Sequence, residues 1–214
     1  MMDFREEFAG ARAAMVREQI EARKVRDSRV LAAMGAVPRH RFVPEALRSE
    51  AYEDRPLPLG PGRTLSQPYI VAFMAEALRL QGGERILEVG SGSGYLLAVL
   101  SHLGAEALGV ELDPGLAGQS LRTLQDLGCS GVQVRCGDGA QGWPEAAPFD
   151  AVLLSCAAEE LPRALWDQLR PGGLAQFPQE RGGWGQDLVL LRKSDPVERQ
   201  VLLPVAFVPL RSPP

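Results

Sequence analysis

Through the second two thirds of the chain, short and almost continuous apolar runs alternate with longer segments whose apolar residues recur every three to four positions. The short runs ERILEVG (84–90), EALGVEL (106–112), VQVRCGD (132–138), FDAVLLSCA (149–157) and GLAQFP (173–178) predict strands buried on both faces. Between and before them, PYIVAFMAEALRL (68–80), SGYLLAVLSHLG (93–104), PGLAGQSLRTLQDLG (114–128) and LPRALWDQL (161–169) carry the helical period, and Gly82–Gly83 ends the first of these. Alternating strands and helices of this kind predict a parallel sheet covered on both sides, doubly wound, with its ligand crevice at the carboxyl ends of the strands. DLVLLRK (187–193) and RQVLLPVAFV (199–208) predict an antiparallel hairpin at the end of the chain.

The first third has a different texture. Residues 3–24 place Phe4, Phe8, Ala11, Met15 and Ile20 on one side of an amphipathic helix. Asp27 and Ser28 are residues that start a helix, here through Met34, with Gly35 and Pro38 as its stop. Pro44 predicts a first-turn proline opening a helix over 44–52. RPLPLGPGR (55–63) is too rich in proline and glycine for a helix and is expected to be a loop at which substrate contacts collect. The whole of 1–214 reads as a single domain, with 1–60 as a helical cap and loop and 61–214 as a Rossmann-like core.

Composition narrows the function. Of the 214 residues, 45% are hydrophobic and 23% charged, the balance of a soluble globular protein. A net charge of −4 argues against a nucleic-acid partner, which calls for a basic footprint. Arg23, Lys24 and Arg26 are either a small local basic patch or a solvated helix end. Cys129, Cys136 and Cys156 lack metal-ligand or disulfide spacing, and His40 and His102 stand far apart, so no metal is expected. No apolar run approaches membrane-spanning length and MMDFREEF has no apolar signal core, so a cytoplasmic location without membrane contact is expected.

LEVGSGSGY (87–95) carries the sharpest chemical signal. Gly90, Gly92 and Gly94 alternate with Ser91 and Ser93 between a strand and a helix, where glycine allows positive φ and close approach of a ligand to the main chain. The spacing is G-x-G-x-G, one residue shorter than the dinucleotide fingerprint. Glu88 would repel a pyrophosphate at this position but suits a ligand with ammonium and sulfonium charges, which points to S-adenosylmethionine, with S-adenosylhomocysteine as product. Glu111, followed by Leu112, ends the second strand of the alternation, where an acid can accept from ribose hydroxyls. Asp138–Gly139 either accepts from the adenine amine or is an ordinary Asp-Gly turn.

Those charges direct attention to a methyl acceptor. A carboxylate, with a reference pKa of about 3.9, is already a nucleophile at neutral pH and needs no general base. Its methylation requires removal of water and alignment with the methyl group, using neutral donors. Hydroxyls stand at Thr64, Ser66 and Ser155, and no histidine or lysine lies near a strand terminus.

From about residue 15 to residue 210 the chain resembles the protein-L-isoaspartate O-methyltransferase family. The resemblance is carried by MVREQIEARKVRDSRVLAAMGAVPRHRFVP (15–44), by AYEDRPLPLGPGRTLSQPYIVA (51–72) with its T-x-S-Q-P core, by LEVGSGSGY, by GDGAQGWPEAAPFDAVLLSCAA (137–158) and by FVPL (207–210). It implies an α/β class I S-adenosylmethionine-dependent methyltransferase fold with an N-terminal helical extension and a C-terminal antiparallel hairpin. It also implies that Ser66 contacts the acceptor carboxylate, that Leu59, Thr64, Gln67 and Ser155 help form the acceptor pocket, and that the C-terminal strands offer backbone contacts to the peptide. The partners it implies are isoaspartyl-containing proteins and peptides, met by a monomer. The methyl ester would then collapse to a succinimide that reopens partly to normal aspartate, a repair reaction.

Two stretches depart from the family pattern: Ser155-Cys156-Ala157-Ala158 replaces threonine followed by alanines, and Gln179-Glu180 replaces valine and glycine. Cys156 is accordingly a pocket residue or a buried structural thiol, and Ser66 is a helix cap, an acceptor contact, or both. Rival readings are a methyltransferase for a normal aspartate in a specific modified peptide, a Rossmann dehydrogenase, and a non-enzymatic S-adenosylmethionine-binding protein.

Overall fold

The computed structural model describes residues 8–183 and 185–212; the expected positions of Phe4 and of the helix start at residue 3 lie outside them. The first helical segment runs as α1 (Ala9–Ala14), a π-helical stretch (Met15–Ile20) and a 3-10 turn (Glu21–Arg23) that Lys24 ends at φ 74°. Asp27 caps α2 (Ser28–Ala36) by accepting from Arg29 N at 2.9 Å. Gly35 does not stop this helix, contrary to expectation. Its carbonyl receives Arg12 Nε at 2.8 Å, and α2 ends only where Val37 turns extended before Pro38.

Two further expectations are corrected here. In place of a helix over 44–52 there are two 3-10 segments, Arg39–Phe42 and Glu45–Glu50, and Pro44 caps the second rather than sitting in its first turn. The stretch 55–63, expected as a loop, largely forms an antiparallel hairpin of β1 (Leu57–Gly60) and β2 (Arg63–Leu65). Pro58 is accommodated because each strand of this two-stranded ribbon is an edge.

The core follows as α3 (Pro68–Ala77), β3 (Arg85–Val89), α4 (Tyr95–His102), β4 (Glu106–Glu111), α5 (Pro114–Asp126), β5 (Val132–Cys136), β6 (Phe149–Leu154), α6 (Arg163–Asp167), β7 (Leu169–Glu180), β8 (Gln186–Arg192) and β9 (Glu198–Val205). The seven strands of the main sheet are ordered β5-β4-β3-β6-β7-β8-β9; β5 through β7 run parallel, and β8 and β9 add the antiparallel end. α6 is shorter than expected and β7 starts earlier, because the chain enters the sheet at Leu169 and regains register at Leu174 after an irregularity at Gly172–Gly173.

Alternation along the parallel strands separates two apolar layers. Ile86, Ala107, Ala151 and Leu153 pack toward α2, α3 and α4, while Leu87, Val89, Leu108, Val110, Val152 and Leu154 pack toward Phe149, Leu165 and Phe177. Burying such a side chain fully is worth about 1.5 to 3 kcal/mol. The strand order reverses between β3 and β6, so the ends of these two strands open the crevice in which doubly wound sheets hold their ligands.

Candidate active site

The glycine loop leaves β3 at this reversal. Gly90, Gly92 and Gly94 all have positive φ, at 72°, 53° and 84°. Gly94 must remain bare for a second reason, since a Cβ there would stand 2.4 Å from Ser120 Oγ. The loop is pinned to β4 by Gly90 N and Ser91 N, both donating to Val110 O, and by Gly92 N, donating to Glu111 Oε2 at 2.9 Å. The other oxygen of Glu111 accepts from Asp113 N at 2.9 Å, and Asp113 in turn caps α5 by accepting from Leu116 N at 2.7 Å. Each carboxylate oxygen of Glu111 therefore spends one lone pair on the main chain and keeps capacity for another donor.

Glu88 is 2% exposed. Its Oε1 accepts from Ser155 Oγ at 2.6 Å, and its Oε2 has no partner. Burial, opposed in part by the Ser155 hydrogen bond and reinforced by the charge of Glu111, pushes its carboxyl up to about 8. A buried carboxyl oxygen without a partner is costly unless a ligand supplies a donor. An ammonium group on S-adenosylmethionine would supply one, so the residues present fit the cofactor that the glycine spacing suggests.

Two adjoining chambers open from this loop and share Leu59, Thr64, Gly90, Gly92 and Ser155. Glu111, Leu112, Gly139 and Cys156 line the first. Glu88, Ser91, Ser93 and Ser66 line the second. The β1–β2 hairpin roofs both, which places Leu59 and Thr64 where the chambers meet. Gly139 approaches Val89 so closely that a Cβ would fall 2.4 Å from Val89 Cγ1.

Of the residues singled out in the sequence, Gly94, Asp138 and Gln67 do not line these chambers. Asp138 Oδ1 accepts from Ala140 N at 2.9 Å and so serves the turn it begins. Gln67 Nε2 donates to Asp54 Oδ1 at 2.7 Å, drawn away by an aspartate that is also paired with Arg23. Helix α3 has Gln67 at its N-cap and no side-chain capping bond, so Ser66 is not its cap. Cys156 is buried against Gly90, and its thiol is pushed up to about 12, first by burial and then by the charges of Glu111 and Glu88; it is neutral packing in the chamber wall. Gln179 faces elsewhere, bonding Glu159 O and Arg199.

Other wall residues fall mostly within the FVPL and LEVGSGSGY segments that carry the resemblance, but neither spacing nor the resemblance assigned them individual roles. The tail enters because Ala157 N donates to Val208 O at 2.8 Å and Leu210 N to Ala157 O at 2.7 Å, which brings Val208 through Arg211 along the first chamber. Tyr95, which opens α4, lines the second chamber, and its ring lies beneath the buried guanidinium of Arg39. Their apolar or basic character is shared with dozens of other positions, and only the fold brings them here.

Comparison with known proteins agrees with this geometry. The family pattern described as protein-L-isoaspartate(D-aspartate) O-methyltransferase matches residues 11–213. A protein-L-isoaspartate O-methyltransferase 2 of Anaeromyxobacter sp. (strain Fw109-5) is 56% identical over 201 residues, covering 94% of this chain and 83% of its own. A protein-L-isoaspartate O-methyltransferase of Gloeobacter violaceus is 50% identical over 197 residues, covering 92% and 96%. Among solved structures, one protein-L-isoaspartate O-methyltransferase superposes with a TM-score of 0.84 at 28% identity over 94% of this chain, which spans 66% of that longer protein. A crystal structure from Plasmodium falciparum assigned to the same activity, in complex with S-adenosyl-L-homocysteine, superposes with a TM-score of 0.80 at 25% identity, covering 94% and 99%.

Proposed function

The chain belongs to the protein-L-isoaspartate(D-aspartate) O-methyltransferase family, and from that premise we propose that it methylates the α-carboxylate of L-isoaspartyl residues in damaged proteins and peptides, with Ser66 as the hydroxyl that orients the acceptor. The observation that carries this assignment is the position of Ser66. It lines the same chamber as Glu88 and the glycine loop, and its hydroxyl is not committed to capping α3.

S-adenosylmethionine supplies an electrophilic methyl on a sulfonium, so that transfer forms a carbon–oxygen bond, breaks a carbon–sulfur bond and requires no proton. The protein's part is placement. Glu88 Oε2 and the main chain at Gly90 and Gly92 would hold the amino-acid end of the cofactor, and Glu111 would accept from the ribose while keeping its two backbone donors. Ser66 and Thr64 donate to the acceptor carboxylate in place of the water it loses, under the hairpin roof. Holding that carboxylate in line at about 3 to 3.5 Å provides the rate advantage.

The partners proposed are isoaspartyl proteins and peptides met by a cytoplasmic monomer. The acidic balance of the chain supports a site that does not serve nucleic acid. Among the described residues no helix is long and apolar enough to cross a membrane.

The repair reading is tested by incubating an isoaspartyl peptide with enzyme and S-adenosylmethionine through repeated rounds and separating its isomers. Conversion to the normal aspartyl peptide by way of ester and succinimide is expected. Accumulation of a stable ester on a normal aspartate, with the isoaspartyl peptide untouched, contradicts it.

A further inference from the structure

Arg39 is completely buried, where an ionised guanidinium requires partners on several sides to offset its desolvation. Burial lowers its pKa only to about 10, so it carries its charge at neutral pH. Its Nε donates to Ala51 O at 2.8 Å and its Nη2 to Ser66 O at 2.7 Å, while its Cζ lies 4.9 Å from the centre of the Tyr95 ring. These three contacts belong to separate parts of the site. Ala51 follows the 3-10 segment of the N-terminal cap, Ser66 sits on the acceptor side, and Tyr95 opens the helix directly after the glycine loop.

The Ser66 carbonyl lies outside the hydrogen-bond ladder of α3, whose first turn is closed by Val71 N on Gln67 O. Arg39 therefore fixes a residue that the helix itself leaves loose. A guanidinium does this because its planar fork reaches two carbonyls at once and still stacks on a ring; an ammonium on a flexible stem cannot do all three. We propose that Arg39 is a positioning residue for methyl transfer: by holding the main-chain carbonyl of Ser66 and stacking on Tyr95, it sets the Ser66 hydroxyl against the glycine loop. This inference rests on the role given to Ser66 above.

A double-mutant cycle separates this role from a merely structural one. Arg39→Lys keeps the charge and loses the fork; Arg39→Met removes both and is read only if it folds. With S-adenosylhomocysteine affinity and melting temperature measured on each protein, Arg39→Lys is expected to lower kcat on the isoaspartyl peptide by about tenfold or more, because small misplacement of reacting groups is enough for that. KM should change little. In a Ser66→Ala background the same substitution should change kcat/KM by less than about twofold, since the group it positions is gone. An equal fold loss in both backgrounds, or wild-type kcat in Arg39→Lys, overturns the proposal. Failure of the site reading itself shows separately, as a Ser66→Ala single variant with full activity, and that outcome overturns the Arg39 role as well.

Discussion

The Ser155 hydroxyl donates to Glu88 Oε1 across 2.6 Å and joins the ends of β6 and β3 at the point where the sheet reverses. The bond uses one carboxyl oxygen and leaves Oε2 bare in the second chamber. With the carboxyl pushed up to about 8 by burial, Glu88 is largely protonated at neutral pH before a cationic ligand arrives.

A pH dependence follows from that state. Binding an ammonium group favours the ionised form, so S-adenosylhomocysteine should bind more weakly at pH 6 than at pH 8, by up to about tenfold per unit of pH, with proton release on binding below pH 8. For the ligand-free protein the sign is opposite. A carboxyl raised from 4.5 to about 8 contributes stability that is fully present below the lower value and lost as pH rises to the upper one. Titration calorimetry in buffers of different ionisation enthalpy measures the proton release. Glu88→Gln should abolish both trends, and an identical pH profile in that variant would refute the assignment.

Glu111 does more than meet a nucleoside, because its carboxylate also holds Gly92 N and Asp113 N. Glu111→Ala should weaken S-adenosylmethionine and S-adenosylhomocysteine together by about 1.5 to 3 kcal/mol, the worth of hydrogen bonds to a charged group. It should also lower the melting temperature, since two half-buried main-chain donors lose their acceptor. Calorimetry with unchanged affinity for both ligands would remove Glu111 from the cofactor site.

For Ser66 the structure sharpens what the sequence left open. A cap would cost about 0.5 to 2 kcal/mol of stability on removal, but no side chain caps α3. Ser66→Ala should thus change stability by less than about 0.5 kcal/mol. Loss of one donor to the acceptor should lower kcat/KM by about a hundredfold. A destabilised variant with wild-type turnover of its folded fraction would reverse the assignment.

The strands β3, β4 and β6 were legible because each is buried on both faces and reads as a nearly continuous apolar run; Leu87 and Ile86 serve opposite layers, yet both must be apolar. The hairpin Leu57–Leu65 was not, because its prolines and glycines are what a loop also uses and only the pairing Leu57↔Leu65 distinguishes the two. The early start of β7 was hidden by Pro171-Gly172-Gly173, which signal a turn but here mark an irregularity within the strand. Glu88 and the glycines were visible through spacing, and Ser66 through the resemblance carried by its T-x-S-Q-P segment. Gln67 pointed the wrong way because Asp54, distant in sequence, competes for its amide. Arg39 was invisible, since nothing in VPRHRF separates a fully buried arginine from the partly buried one two residues on, which pairs with Asp126.

The most direct test of the account is kcat/KM on two peptides of one sequence, differing only in an isoaspartyl or an aspartyl residue. An isoaspartyl linkage presents its α-carboxylate one methylene away from the normal geometry, and a site that holds this group in line should lose on the order of a hundredfold or more for a shift of about 1 Å. The account predicts strong preference for the isoaspartyl peptide in the wild-type protein. Comparable values on the two peptides, or preference for the aspartyl one, would contradict it.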